Sequence, residues 1–80
     1  MTEITDKIIE LREEMIVKRI HPDIKRNAMT AFLQGYQKHK EIYGSFRYIT
    51  DGLEYKIRMQ ERAEFMYQEA RKIIDKSGGI

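Results

Sequence analysis

Residues 21–44 read HPDIKRNAMTAFLQGYQKHKEIYG, and the two ends of this stretch set the fold. Pro22 is the single proline of the chain. Its ring disfavours the α conformation at the residue before it, so a preceding helix must stop by Ile20 or His21. Proline also suits the first turn of a new helix, and Asp23 supports that start at the positive end of the helix dipole. Gly44 is a natural C-terminal stop. The stretch therefore predicts one helix over 22–43, with a helical segment on either side.

Two unlike stripes run along this central helix. Met29, Phe32, Tyr36, His39 and Tyr43 recur at spacings of 3 or 4 and form an apolar-aromatic stripe. Ala28, Ala31 and Gly35 form a face of small residues, which lets a second helix approach near the lower end of the usual range of about 8–10 Å. A mid-helix glycine costs about 1 kcal/mol relative to alanine. Close packing at Gly35 is the expected compensation.

Toward the N terminus, the pattern predicts a helix over about 3–20. Thr2 is placed to cap it, and Glu3 and Asp6 sit in its first turn. Ile4, Ile8, Leu11 and Met15 make one stripe. Ile9, Ile16 and Ile20 make a second, about 100° round from the first. A helix apolar on two faces is either sandwiched between neighbours or meets another chain. The short joint at His21-Pro22 implies a kink or an antiparallel turn.

Toward the C terminus, Ser45-Phe46-Arg47-Tyr48-Ile49-Thr50 has the content of a short strand. With no second strand to pair with, it reads instead as a connection or as the first turns of the third helix. Asp51-Gly52-Leu53-Glu54 resembles a capping box and places the start at 51. Phe46, Ile49 and Leu53 continue the stripe of Ile57, Ala63, Tyr67, Ala70 and Ile74, which favours a start near 45. The third helix is expected to end around 76, closed by Ser77-Gly78-Gly79. The fold expected is a single all-α domain over 1–80. It is a small three-helix bundle, or a helical hairpin with a kinked N-terminal helix.

The chain has 80 residues, no cysteine and 41% apolar side chains. A chain this short buries only about 60–65% of its unfolded surface, and nothing staples it. A partner is the natural further source of stability, and a homodimer or higher oligomer is the first candidate. No apolar run approaches the roughly 20 residues of a membrane span. No charged-then-apolar leader is readable, so a cytoplasmic site is expected, with no membrane contact.

Charge is unevenly spread. Residues 1–15 hold five acids and two bases, residues 16–47 seven bases and two acids, and residues 48–80 six of each. An electropositive centre attracts phosphates or acidic proteins. Lys18, Arg19, Lys25 and Arg26 gather around the break, and Lys38 and Lys40 near the far end of the central helix. These six are the candidate nucleic-acid or nucleotide contacts. A helix-turn-helix would make the central helix the recognition helix, yet its apolar stripe and small face bury two of its sides, and the turn lacks a glycine.

Catalytic constellations are not apparent. Ser45, His39 and Glu41 lie close in sequence, but proximity along the chain is not triad geometry. Two histidines without cysteine do not make a zinc site. In each of the two groups, Glu10 with Glu13 and Glu14, and Glu61 with Glu64, lysines or arginines sit three or four residues from a member, the pattern of a solvated helix surface. Met15, Met29, Met59 and Met66 sit at core spacings and read as filler. No metal or cofactor is expected. The function expected is non-enzymatic: a small helical interaction or regulatory protein docking an aromatic-basic face onto another protein. Tyr36, His39, Tyr43, Arg47 and Tyr48 are its candidate contacts, because tyrosine and arginine dominate protein interfaces. The alternative is a nucleic-acid or nucleotide binder using the basic residues above, since aromatic stacking beside bases also holds single strands.

Overall fold

Three helices fall on either side of the two predicted breaks: α1 over Glu3–Val17, α2 over Pro22–Tyr43 and α3 over Gly52–Ser77. The computed structural model describes residues 3–77. The Thr2 cap and the glycines at 78 and 79 lie outside the described residues. Among the described residues there is no strand.

α1 stops three residues short of the expected Ile20. Arg19 adopts the left-handed conformation, with φ of 52°. The Arg19 N–H donates to the Ile16 carbonyl at 3.1 Å, and the Ile20 N–H donates to the Met15 carbonyl at 3.0 Å. This pair of bonds is the Schellman arrangement, which closes the orphan carbonyls of a helix end. Ile20 then packs back on the core that contains Met15, supplying the hydrophobic contact that accompanies such an ending. The residue in the left-handed position is usually glycine. An arginine there hides the stop from the sequence.

α2 begins as expected. The His21 Nδ1 accepts from the Asp23 N–H at 3.1 Å, with Pro22 in the first turn. It ends at Gly44, whose N–H donates to the Lys40 carbonyl at 2.7 Å. α3 starts where Asp51 caps it. The Asp51 Oδ1 accepts from the Leu53 N–H at 2.9 Å and from the Glu54 N–H at 3.2 Å. A start near 45 is not observed, since residues 44–51 are non-helical.

α3 is the support on which both other helices pack. Lys7 pairs with Glu64 at 2.9 Å and Glu14 with Arg71 at 2.7 Å, so α1 runs parallel to α3. His39 bonds Arg62 while Gly35 meets Met66, so α2 runs antiparallel to α3. The result is an up-down-up bundle. Its core joins Leu11 and Met15 of α1, Ala28 and Phe32 of α2, and Met66, Tyr67, Ala70 and Ile74 of α3. The core face of α2 thus lies between the two stripes seen in its sequence and takes one or two members from each.

The small residues act as the spacing predicted. A Cβ built on Gly35 would lie 3.0 Å from the Met66 Cα, and Ala28 and Ala70 are fully buried along the same contact. The α3 stripe is only half used. Ala63, Tyr67, Ala70 and Ile74 are buried, but Leu53 and Ile57 are exposed. The register explains this. With Lys7 beside Glu64, the first residue of α1 stands level with about residue 60 of α3, so the opening turns of α3 extend beyond their cover.

Candidate functional site

The end of the bundle where α2 turns into α3 is organised around one side chain. Arg62 of α3 is 2% exposed. Its Nε donates to the His39 Nδ1 at 3.0 Å, and its Nη2 donates to the Gly44 carbonyl at 2.6 Å. The guanidinium lies over the Phe46 ring at 4.0 Å from its centroid, with the Tyr36 ring at 4.9 Å. A buried cation normally takes a carboxylate partner. Here an imidazole, a backbone carbonyl and two aromatic faces do that work, each offering electron density to the cation.

His39 is held by this arrangement. Because its Nδ1 accepts, the neutral ring carries its proton on Nε2. Tyr43 and Phe65 lie tilted against it at 4.4 Å and 5.2 Å, and Phe46 meets it edge-on at 6.1 Å. Burial, and then the neighbouring Arg62 charge, push the His39 pKa below its ordinary value of 6.5, while Glu61 opposes them weakly. His39 is therefore a neutral acceptor at neutral pH.

The turn itself follows from local chemistry. Gly44 has φ of 81° and ψ of −179°, a conformation almost confined to glycine. That geometry points its carbonyl at Arg62 and turns the chain so that Phe46 tucks under the guanidinium. The Ile49 N–H donates to the Phe46 carbonyl at 3.0 Å, which closes the segment before Asp51 caps α3.

On this scaffold the predicted docking residues divide. His39 is buried and forms part of the support. Tyr36 is partly exposed, with its ring on Arg62. Tyr43, Arg47 and Tyr48 are exposed. The structure adds neighbours that sequence reasoning placed in the core or left aside: Ile42, Leu53, Tyr55 and Ile57 are exposed too. Tyr48 and Leu53 are 72% and 70% exposed. The clue to Leu53 was available, since the capping residue Asp51 lies only two positions before it. The clue to Arg62 was not, because one arginine in a charged helix carries no mark of burial.

The predicted basic residues are spread out. Lys25 and Arg26 line a groove between α1 and α2, together with Ile8, Arg12, Met15 and Met29. Lys18 pairs with Glu14 at 2.9 Å, and Lys38 pairs with Glu69 at 2.8 Å. Lys38 stands about 20 Å along α2 from Lys25. Arg19 forms the left-handed end of α1, and Lys40 is half-buried near the end of α2.

The glutamates read as surface pairs also divide. Lys7 with Glu10, Lys18 with Glu14 and Arg58 with Glu61 are local pairs, as their spacing implied. Glu14 does more. It accepts from the Tyr67 hydroxyl and pairs with Arg71, tying α1 to α3. These partners hold its pKa below 4.5 against the opposing effect of burial, which is the largest single influence on it.

Among the described residues, no three His, Asp or Glu side chains converge where a metal ion would sit, and no helix is long and apolar enough to cross a membrane. Compared with known proteins, the chain matches no family model, no curated protein and no solved structure. What is established is the class: a three-helix, all-α bundle.

Proposed function

We propose that the protein is a non-enzymatic interaction module that docks the α2–α3 end of its bundle onto another protein, as a self-associating cytoplasmic chain. One observation carries the reading. Between residues 42 and 57, six large apolar or aromatic side chains are exposed: Ile42, Tyr43, Tyr48, Leu53, Tyr55 and Ile57. Scattered exposed apolar residues need no explanation, but a concentration at one end of a small domain marks an interaction surface. Tyrosines bring large contact area at little entropy cost, and Arg47 adds the other residue type favoured at interface hot spots. The buried Arg62 cluster keeps the turn in one shape, which reduces the ordering cost of binding.

The test compares the wild type with a Tyr43→Ser, Tyr48→Ser, Leu53→Ser variant as bait, after circular dichroism has shown equal helicity. The expected result is a protein retained by wild type in 0.5 M salt and lost with the variant, since apolar contacts are little screened. Retention by both baits, or by neither, overturns the reading. So does a retained nucleic acid that elutes as salt rises, which is the behaviour of phosphate contacts through Lys18, Arg19, Lys25, Arg26, Lys38 and Lys40.

A further inference from the structure

We propose that two copies of the chain associate through α1, side by side and parallel, with the acidic flank of each α1 facing the Arg12 flank of the other. This rests on the reading that the chain self-associates, and it specifies the surface and its polarity.

The surface is the second stripe of α1. Its two members within the helix, Ile9 and Ile16, are exposed at 40% and 66%, while Ile20 packs on the core. At about 100° per residue, Ile9 and Ile16 point within about 20° of each other, and about 120° away from the side that faces the core. A helix this short seldom leaves such a stripe uncovered on its own account.

The flanks of that stripe carry opposite charge. On the side toward α2 lies Arg12, and beyond it Lys25 and Arg26 rim a groove of about 470 Å³ whose floor includes Ile8, Met15 and Met29. On the other side lie Glu13, Asp6 and Glu10. Arg12, Glu13 and Asp6 have no ion pair among the described residues. A charge pattern of this kind chooses between the two ways of pairing identical helices. A two-fold axis normal to an antiparallel pair sets each flank against its own copy, Arg12 against Arg12 and Glu13 against Glu13. A two-fold axis along a parallel pair sets each flank against the opposite one. Arg12 of one copy then meets Glu13 of the other, one residue apart in height, twice over. The stripe pairs with itself, Ile9 on Ile9 and Ile16 on Ile16. The parallel arrangement also places the two bundles on opposite sides of the α1 pair, clear of each other and of the α2–α3 end.

The chain contains no cysteine, so single substitutions report the pairing cleanly. Light scattering of the wild type at about 100 μM protein is expected to give a dimer. Mild oxidation is expected to link Ile9→Cys to itself, and Ile16→Cys to itself, well ahead of a Gln34→Cys control on the exposed side of α2, because a disulfide needs Cα atoms within about 7 Å. Arg12→Glu is expected to weaken the dimer about tenfold, and adding Glu13→Arg to restore it. A monomer by scattering overturns both self-association and this interface. A dimer in which Ile9→Cys links only to Ile16→Cys of a second variant overturns the parallel pairing. A dimer in which neither links faster than the control overturns the α1 surface while leaving self-association standing.

Discussion

Gly35→Ala tests the close approach on which the bundle depends. In an isolated helix the change is favourable by about 1 kcal/mol. In the bundle the new methyl would lie 3.0 Å from the Met66 Cα, 3.4 Å from its Cγ and 3.5 Å from the Glu69 Cγ. The nearest atom is backbone, so no rotamer change relieves it. Carbon atoms rest at about 3.5–4.0 Å, so α2 and α3 must part by about half an ångström at the crossing. A gap of that size forfeits about a quarter of the dispersion energy of the neighbouring contacts, which include Ala28, Phe32 and Ala70. Overpacking of this kind costs about 2 kcal/mol, within the range found for added methylenes. Subtracting the helix-propensity gain leaves a loss of about 1 kcal/mol, or a fall in Tm of about 4–8 °C for a domain this size. Gly52→Ala supplies the control. It also lies in a helix, nothing stands within 4 Å of its Cβ position, and it is expected to raise Tm by a few degrees. Thermal melts followed by circular dichroism at one fixed protein concentration give both numbers, the fixed concentration being needed because self-association shifts Tm. Gly35→Leu should abolish the cooperative transition. If Gly35→Ala raises Tm as Gly52→Ala does, the two helices are not in contact at that point and the reasoning fails.

Two further outcomes follow from named residues. Arg19→Gly should stabilise the chain by about 1 kcal/mol, because glycine occupies the left-handed position without a Cβ penalty; an unchanged urea midpoint would mean that α1 does not end there. The His39 pKa is depressed in the folded state by burial and by Arg62, so unfolding takes up a proton as pH falls. Its stability contribution is intact above about 6.5 and is lost as pH falls through that value toward the folded pKa. Glu14, Glu64 and Glu69, all held low, lose theirs only below about 4.5. Tm should therefore begin to fall between pH 7 and 5.5 in the wild type. It should stay level there in His39→Gln, whose amide oxygen can accept from Arg62. A flat wild-type profile over that window contradicts the buried neutral histidine.

The sequence by itself determined the helices and where the central one begins and ends. Pro22, Gly44 and Asp51 act through their own backbones and nearest neighbours, and such local chemistry is legible without a fold. It also determined the close contact at Gly35, since a mid-helix glycine among alanines has one economical explanation. Tertiary structure decided the rest. Arg19 in a glycine's place moved the end of α1, because packing of Ile20 outweighed local preference. Arg62 became the centre of the α2–α3 end because the last turns of α2 and its cap bring His39 and the Gly44 carbonyl within reach of one guanidinium, a coincidence of two elements 18 or more residues apart. The split of apolar residues between core and surface was likewise invisible: Leu53 and Ala63 share a stripe, yet only one is covered. Periodicity says which residues share a face. Only the register between helices, fixed here by Lys7 with Glu64 and by Gly35 against Met66, says how far along that face a neighbour extends.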